Sequence, residues 1–334
     1  MQDFELYIRR CLQLAKLGEY YVAPNPMVGA VLVGSGDVIL GEGWHMQYGG
    51  AHAEPNCLRN AEDNHPEGID YKHCTLYVNL EPCSHYGKTP PCAELIIDKG
   101  IGRVVIGCLD PNPQVAGQGV SMLKDAGIKV HVGILEDECR ALNKRFICLH
   151  ENRRPYVILK WAQTADGYID ERRKSGNPLV ISTPLMKQLV HQQRAENMAI
   201  MVGTRTVLMD NPRLLTTHWS GRNPIRVTMD RHRILLPDYN IFSSDSETIV
   251  YHDNTDWKTM LTDLASRNIH SVLVEGGATF LNSIIASQVY DEVHIEISNE
   301  YMGEGKLGVE APHYKFTTRP QIFDRHLVYI EKRV

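Results

Sequence analysis

One histidine and two cysteines are spaced as the ligands of a catalytic zinc ion. His52 opens the triplet His-Ala-Glu, Cys83 follows a proline, and Cys92 comes after eight further residues. Three protein ligands leave the fourth position of the metal for water, whose pKa falls to about 7 on zinc. Glu54 is not needed as a ligand, so it can take the proton of that water and pass it to a substrate. The pattern predicts zinc-dependent hydrolysis with Glu54 as the catalytic acid and base.

A structural zinc site is the alternative interpretation of these residues. Such a site takes a fourth protein ligand, and Cys57, Cys74 and His85 are available in the sequence. Glu54 argues against it, because a closed site has no use for a general base. Nucleobase deaminases combine the same ligands with such a glutamate, although their cysteines are usually separated by two residues. We expect simple buried thiols at Cys11, Cys57, Cys74, Cys108, Cys139 and Cys148.

The second informative segment is Glu275-Gly276-Gly277, at the end of an apolar run. Glycines at this place would let a phosphate approach the backbone N–H groups that begin the next helix. An ordinary turn is the alternative, and taken alone the two glycines favour it. The sequence has no Gly-x-Gly-x-x-Gly, the fingerprint of conventional dinucleotide-binding domains.

Alternating helices and strands must position both groups of residues. In the first half, apolar spacing predicts helices at 3–17, 52–60, 92–99 and 120–126, and strands at 27–34, 38–43, 74–80, 103–108 and 129–132. The polar stretch 150–155 is interpreted as a linker, after which the alternation restarts. We therefore expect two α/β domains, at 1–149 and 153–334.

Charge and composition limit the class of partner. The 334 residues carry a formal net charge of -5, and no block of lysine or arginine stands out. General nucleic-acid binding and polybasic membrane contact are therefore not expected. No signal peptide and no apolar run of about 18 residues is visible, so we expect a cytoplasmic protein. The eight cysteines are then reduced thiols or metal ligands rather than disulfides.

Three segments of the first half resemble the bacterial RibD/RibG family of diaminohydroxyphosphoribosylaminopyrimidine deaminases, namely 25–29, 43–54 and 80–92. The resemblance implies a cytidine-deaminase-like three-layer α/β/α fold and one zinc ion. It implies a ribose-phosphate substrate, wrapped by the loop between the cysteines. Asn25 would contact the pyrimidine, His45 and His85 would lie near the substrate, and Lys88 would bind its phosphate. A solvated loop residue is an equal alternative for His85.

The second half resembles the reductase of the same family at 160–167, 191–194, 203–212, 272–280 and 291–293. The resemblance implies a dihydrofolate-reductase-like α/β fold that binds NADPH. The cofactor site that it implies consists of Ala162, Val180, Thr206, Asp210, Gly277, Ala278, Thr279, Phe280, Leu281, Asn282 and Ser283.

The resemblance also implies the course of the reduction. Lys160, Asp210 and Glu275 would surround the reacting sugar carbon, and NADPH would deliver hydride after the ribosylamine ring opens. Lys160 or Glu275 would supply the proton. The alternatives are that Lys160 is a surface lysine at a strand end and that Glu275 caps the following helix. The implied substrate residues are Pro178, Arg194, Arg213, Leu214, His218 and Glu275, with Arg194 on the phosphate.

Two segments depart from the family pattern. In 177–181, Pro178 and Val180 replace a hydroxyl residue and a tryptophan. The segment 213–218 carries an extra residue and ends in His218 rather than arginine. The expected catalytic residues of the reductase are retained, so we expect the reductase to be active.

The resemblance and the zinc pattern together indicate a bifunctional enzyme of riboflavin biosynthesis. It would deaminate 2,5-diamino-6-ribosylamino-4(3H)-pyrimidinone 5′-phosphate and then reduce the ribosyl chain to ribityl. The alternatives are a deaminase with a non-catalytic second domain, a binding protein with structural zinc, and a tRNA or cytidine deaminase. We expect a small ribotide substrate, no nucleic acid or membrane partner, and a homo-oligomer, either a dimer or a tetramer.

Overall fold

The structure, a computed structural model, describes residues 3–86, 90–112, 115–172, 178–302, 308–312, 321–322 and 325–331. It divides into two compact units, Met1–Arg153 and Arg154–Val334, and each unit contains its own sheet. None of the helices in these ranges has the length and hydropathy needed to cross a lipid bilayer.

The first unit is a five-stranded sheet between two layers of helices. Its elements are α1 (Phe4–Lys16), β1 (Gly29–Val33), β2 (Ile39–Trp44), α2 (Ala53–Asn64), β3 (Thr75–Leu80), α3 (Cys92–Asp98), β4 (Arg103–Cys108), α4 (Gln118–Asp125), β5 (Lys129–Val132), α5 (Glu136–Leu142) and α6 (Lys144–Asn152). The strand order is β2-β1-β3-β4-β5. Strands β3, β4 and β5 are parallel, whereas β1 is antiparallel to both of its neighbours.

Both faces of this sheet are covered because successive side chains of a strand point to opposite faces. In β1, Ala30 and Leu32 pack against α2, α3 and α4. Val31 and Val33 pack on the other face, against α1 and the buried Cys139 of α5. Such double burial explains the continuous apolar strands in the sequence.

The second unit is built on an eight-stranded sheet. Its elements are β6 (Tyr156–Gln163), β7 (Tyr168–Glu171), α7 (Pro184–Glu196), β8 (Ala199–Val202), α8 (Thr204–Asp210), β9 (Ile225–Met229), β10 (Thr248–Tyr251), α9 (Trp257–Ser266), β11 (Ser271–Glu275), α10 (Ala278–Ser287), β12 (Glu292–Ser298), β13 (Gly308–Glu310), β14 (Gln321–Ile322) and β15 (Arg325–Glu331). The order is β10-β9-β8-β11-β6-β12-β15-β14, and β13 pairs separately with β7.

Six consecutive strands of this sheet, from β10 to β12, are parallel, and β15 is antiparallel to β12. The carboxyl ends of the parallel strands therefore meet at one edge, which is where open α/β sheets bind ligands. Glu275 at the end of β11 is in register with Lys160 of β6. The sheet thus brings together two residues that are far apart in the sequence.

The structure differs from the sequence-based expectation in three helices. Helices α5 and α6 were not expected, and α6 continues to Asn152, into the polar stretch interpreted as a linker. Buried Ile147 and Cys148 give α6 an apolar face, and Arg153 ends it with a φ of 52°. Helix α8 was not expected either, and it lies in the segment 203–212, which contains the implied cofactor residues Thr206 and Asp210.

Candidate active sites

The three predicted zinc ligands lie together in the first unit. His52 Nδ1 and the sulfurs of Cys83 and Cys92 all lie within 4.8 Å of one another. The histidine nitrogen is 3.5 Å from Cys83 Sγ and 3.4 Å from Cys92 Sγ. Tetrahedral zinc would place nitrogen and thiolate ligands about 3.5 Å apart, given bonds of about 2.0 and 2.3 Å. The donor set and its spacing therefore fit zinc.

Three local structures position these ligands. His52 is the N-cap residue of α2, and Cys92 is the first residue of α3. Cys83 lies in the loop after β3, where its sulfur accepts a 3.3 Å hydrogen bond from the backbone N–H of Cys92. A helix N-terminus favours a thiolate, the form of cysteine that binds zinc.

No fourth protein ligand joins the cluster among the described residues. The thiol of Cys57 donates to the carbonyl of Gly41, and that of Cys74 donates to the carbonyl of Asp70, each at 3.3 Å. His85, the third available ligand, is exposed and outside the cluster. The arrangement is therefore the open one expected of a catalytic site rather than the closed one of a structural site.

The pKa values of the two cysteine thiols are shifted in opposite directions. The hydrogen bond from Cys92 holds the pKa of the Cys83 thiol well below its usual range, with a further contribution from His52. The pKa of Cys92 is raised because its thiol donates to Cys83 and is buried.

Glu54 is 3% exposed, and its pKa is raised by burial and by the charge of Cys83. A carboxyl group with a raised pKa beside a metal site suits proton transfer.

His45 and Asn25 form a hydrogen-bonded pair next to His52. His45 Nδ1 lies 2.9 Å from the carbonyl of Ala51, and its Nε2 lies 3.0 Å from Asn25 Nδ2. A carbonyl only accepts, so Nδ1 carries the proton, and Nε2 accepts from Asn25. This fixes the orientation of the amide and leaves Asn25 Oδ1 for another donor. Burial is the main cause that lowers the pKa of His45, whose ring is 5.4 Å from that of His52.

Two of the predicted substrate residues, His85 and Lys88, belong to the loop between Cys83 and Cys92. His85 is exposed and interacts electrostatically with Asp110. Lys88 lies outside the described residues.

An ion pair organises the edge of the second sheet. Arg194 of α7 donates from Nη2 to Glu275 Oε2 at 2.9 Å and from Nη1 to the carbonyl of Leu215 at 3.3 Å. The two charged side chains are only 16% and 15% exposed. Burial alone would raise the pKa of Glu275, but Arg194 and Lys160 outweigh it and hold that pKa below its usual range. Glu275 is therefore a carboxylate at neutral pH.

Two neighbouring cavities lie at this edge. The smaller, of about 490 Å³, is lined by residues expected at the reacting carbon and the substrate: Lys160, Pro178, Arg194, Asp210 and Glu275, with Ala162 and Val180 from the expected cofactor set. The larger, of about 1240 Å³, is lined by most of that set: Thr206, Asp210, Gly277, Ala278, Thr279, Phe280 and Ser283. Asp210 and Gly277 line both cavities.

Two residues of the expected cofactor set line neither cavity. Leu281 is fully buried in the hydrophobic core, and Asn282 is exposed. Both belong to α10, and a helix turns successive side chains to different sides. Only one face of this helix can therefore meet a ligand in the cavity.

Three residues of the expected substrate set also lie outside the cavity linings. Arg213 pairs with Asp245 at 3.1 Å. Leu214 is 4% exposed and has a φ of 55°. His218 is exposed, and its ring meets the ring of His191 edge-on at 4.7 Å.

The segment that departs from the family pattern is held from three sides. The N–H of Leu179 donates to Asp170 at 3.0 Å, and the carbonyl of Ile181 accepts from Arg325 at 3.2 Å. Ser182 donates to Glu296 at 2.5 Å. Although Val180 is 65% exposed, it lines the smaller cavity. The backbone is thus fixed at the cavity even where the family's side chains are absent.

Sequence reasoning gave no role to several residues of the smaller cavity, among them two basic residues of α7. Lys187 and His191 both line it, together with Arg194. The three positions are separated by four and three residues, which is the spacing of one helix face. This spacing is the signal in the sequence that could have placed Lys187 and His191 beside Arg194.

Each half of the chain matches a known family. Residues 1–108 match the cytidine and deoxycytidylate deaminase zinc-binding region, and residues 155–320 match the RibD C-terminal domain. The riboflavin biosynthesis protein RibD of Synechocystis sp. is 39% identical over 332 residues, covering 92% of this chain and 86% of that protein. RibD of Escherichia coli is 34% identical over 361 residues and 95% of each chain.

Solved structures agree over the whole length. A diaminohydroxyphosphoribosylaminopyrimidine deaminase/5-amino-6-(5-phosphoribosylamino)uracil reductase of Thermotoga maritima is 37% identical, with a TM-score of 0.86 and coverage of 98% of both chains. RibD of Acinetobacter baumannii, form 1, is 30% identical, with a TM-score of 0.89 over 99% of both chains. The expected order of a deaminase fold followed by a reductase fold is confirmed, and a monofunctional deaminase is not favoured. The chain belongs to the RibD family and is a bifunctional deaminase and reductase of riboflavin biosynthesis.

Proposed function

We propose that the substrate is 2,5-diamino-6-ribosylamino-4(3H)-pyrimidinone 5′-phosphate. The first unit removes its 2-amino group by hydrolysis, and the second reduces the ribosyl chain of the product with NADPH. The deaminase and reductase activities of the Thermotoga maritima relative support this sequence of steps. The observation that carries the proposal is that each unit holds candidate reacting groups together. His52, Cys83 and Cys92 form a cluster in the first unit, and Lys160 is in register with Glu275 in the second.

The deaminase step depends on Glu54 as the proton carrier. Zinc held by His52, Cys83 and Cys92 would supply the Lewis acidity that makes water a nucleophile at neutral pH. Glu54 takes a proton from the attacking water and delivers it to the ring nitrogen next to C2. After water oxygen has bonded to C2, a proton passes to the amino group, which leaves as ammonia.

Asn25 is suited to recognise the pyrimidine in this site. Because His45 accepts from its amide N–H, Asn25 Oδ1 remains an acceptor for the ligand. A pyrimidine ring N–H or amino group is the matching donor. His45 contributes by fixing the amide, and Lys88 is proposed to bind the phosphate of the same molecule.

The reductase step needs an acid, and Lys160 fits this role better than Glu275. Arg194 keeps Glu275 in its carboxylate form, so Glu275 has no proton to give. Lys160 protonates the ring oxygen of the ribosylamine, and the ring opens to an imine. Glu275 then stabilises the positive charge of that imine. The nicotinamide cofactor would supply the hydride that reduces the former anomeric carbon.

The larger cavity offers basic side chains for the extra phosphate that distinguishes NADPH from NADH, although carboxylates also line it. Cationic side chains from three parts of the unit line this cavity, namely Arg205, Arg231 and Lys258. They could bind the extra phosphate of NADPH, for which arginine is the usual ligand. Gly277 lies at the N-terminus of α10, where backbone N–H groups favour a bridging phosphate.

Complementation between two variants tests this division of labour. Glu54→Gln should lower the rate of ammonia release about 10²-fold or more. The zinc content of this variant and its oxidation of NADPH with the deaminated ribotide should persist. Lys160→Ala should release ammonia normally but oxidise no NADPH. A mixture of the two proteins should complete both steps. If Glu54→Gln releases ammonia at the wild-type rate, or if Lys160→Ala still oxidises NADPH, the assigned role fails.

A further inference from the structure

The segment that carries Asn25 is not part of the sheet and must be held by other contacts. Two of its residues, Pro24 and Pro26, have no backbone N–H to donate, and strand β1 begins only at Gly29. The N–H of Asn25 donates to the carbonyl of Val22 at 2.8 Å. The position of the Asn25 amide in the deaminase site therefore depends on what fixes the two residues between Pro26 and Gly29.

Asn143 binds both backbone polar groups of Met27. Its Oδ1 accepts a hydrogen bond of 2.8 Å from the N–H of Met27, and its Nδ2 donates to the carbonyl of the same residue at 2.9 Å. One side-chain amide thus supplies the pair of hydrogen bonds that a neighbouring antiparallel strand would otherwise supply. Asn143 is 3% exposed, so water has little access to its amide.

Two further contacts fix the same segment. Asn79 of β3, which is fully buried, donates to the carbonyl of Met27 at 3.1 Å and accepts from the N–H of Gly29 at 2.8 Å. The carbonyl of Val28 accepts from the N–H of His45 at 2.9 Å, and His45 is the histidine that orients the pyrimidine-binding amide. That amide and its histidine are therefore held in one connected network.

Helices α5 and α6 place Asn143 in this network. Asn143 lies at the junction of the two helices, and its own carbonyl accepts from the N–H of Ile147 in the first turn of α6, at 2.9 Å. The buried Cys139 of α5 packs in the cluster that includes side chains of α1 and β1. Asn143 and Met27 are 116 positions apart in the sequence, so the packing of these helices on the sheet brings the two residues together.

Loss of the Asn143 amide would act on the substrate through the backbone. Met27 would lose the acceptor of its N–H and one of the two donors to its carbonyl, and its segment would be free to shift. Asn25 lies two residues earlier and would shift with it. Hydrogen bonds weaken steeply when their distance and angle depart from the optimum, so a small shift is enough to impair the contact with the pyrimidine.

We propose that Asn143 is a positioning residue of the deaminase, which fixes Asn25 against the pyrimidine through the backbone of Met27. Asn143 does not itself touch the substrate. The inference rests on the proposed function, in which Asn25 recognises the pyrimidine.

A double-mutant cycle tests the inference, because the effects of two residues add only if the residues act independently. Ammonia release from the diaminopyrimidine ribotide is measured without NADPH for the wild type, Asn25→Ala, Asn143→Ala and the double variant. Asn60→Ala is the matched control, since Asn60 of α2 also accepts from the backbone of another element, the N–H of Glu42, at 3.0 Å. Zinc content and NADPH oxidation with the deaminated ribotide report whether each protein is folded.

Asn25→Ala should lower the kcat/KM of deamination about tenfold, the effect of one hydrogen bond to the substrate. Asn143→Ala should lower it to a similar extent while zinc content and NADPH oxidation stay at the wild-type level. In a protein that already carries Asn25→Ala, adding Asn143→Ala should lower kcat/KM by less than about twofold, because the amide that Asn143 positions is gone. Asn60→Ala should deaminate like the wild type.

Asn143→Asp is the second variant, for the case that Asn143→Ala does not fold. It keeps the size of the side chain and the acceptor for the N–H of Met27, but it replaces the donor to the carbonyl by an oxygen. It should lower kcat/KM in the wild-type background and should add little to the loss in Asn25→Ala.

A wild-type kcat/KM in Asn143→Ala, with Asn25→Ala impaired, would overturn the inference and leave the proposed function intact. Equal losses from the Asn143 substitution with and without Asn25 would overturn it too, because they indicate a structural role that does not act through Asn25. An equal loss in Asn60→Ala would have the same meaning. If Asn25→Ala deaminates like the wild type, the proposed recognition of the pyrimidine fails, and the inference fails with it.

Discussion

At the scale of residues, sequence reasoning reaches furthest where chemistry depends on residue type and short spacing. His52, Cys83 and Cys92 could be chosen because zinc restricts its ligands, and the structure brings their donor atoms together. The partner of Arg194 could not be foreseen, because Glu275 is 81 positions away. It comes near only because β8, which follows α7, pairs with β11. The sequence left Lys160 and Glu275 as alternative proton donors for the reduction. Because the ion pair keeps Glu275 a carboxylate, Lys160 is the proposed donor.

Arg194→Met should change the pH dependence of the reductase. In the wild type, Arg194 and Lys160 hold the pKa of Glu275 below its usual value of 4.5, so its stabilising charge is present at neutral pH and lost only in stronger acid. Without Arg194, burial dominates, although Lys160 and His191 still face the carboxyl group. The acidic limb of kcat/KM for NADPH oxidation should therefore move to higher pH. An acidic limb at the wild-type position in Arg194→Met would contradict this role.

At the scale of elements, apolar periodicity identified the five strands of the first sheet but not all of the helices. Helix α8 has Val207 as its one buried residue, so it lacks the apolar stripe that indicates a helix. The turn between β11 and α10 was predictable from its glycines, whereas their different backbone conformations were not. Gly276 has a φ of 143°, whereas Gly277 has a φ of -74°.

Gly277→Ala should impair cofactor binding without destabilising the protein. A Cβ at Gly277 meets no atom within 4 Å, and its backbone suits any residue, so the free energy of unfolding should change by less than about 0.5 kcal/mol. The added methyl group would nevertheless occupy space in the larger cavity, where a phosphate must approach the backbone. The KM for NADPH should rise several-fold.

Gly276→Ala is the matched comparison. Its positive φ should cost the fold about 1–3 kcal/mol, measured by denaturant unfolding of both variants. Equal stability losses in the two variants, or an unchanged KM for NADPH in Gly277→Ala, would contradict the proposed approach of the cofactor at this turn.

At the scale of the whole molecule, the chain joins two units that each have their own sheet, core and set of reacting groups. The number of domains was predictable from length and from the restart of the strand–helix alternation. The second activity was not predictable from residue chemistry alone, because Glu275, Gly276 and Gly277 are also compatible with an ordinary turn. Family resemblance supplied that activity, and relatives that align over both units support it.

The stoichiometry of the two products tests the bifunctional mechanism most directly. Wild-type protein is supplied with the diaminopyrimidine ribotide, and ammonia and NADPH are followed with and without added NADPH. We expect ammonia release in both cases and, with NADPH present, the oxidation of one NADPH for each ammonia after an initial lag. Ammonia release without any oxidation of NADPH would contradict the mechanism and leave the second unit without its proposed reaction.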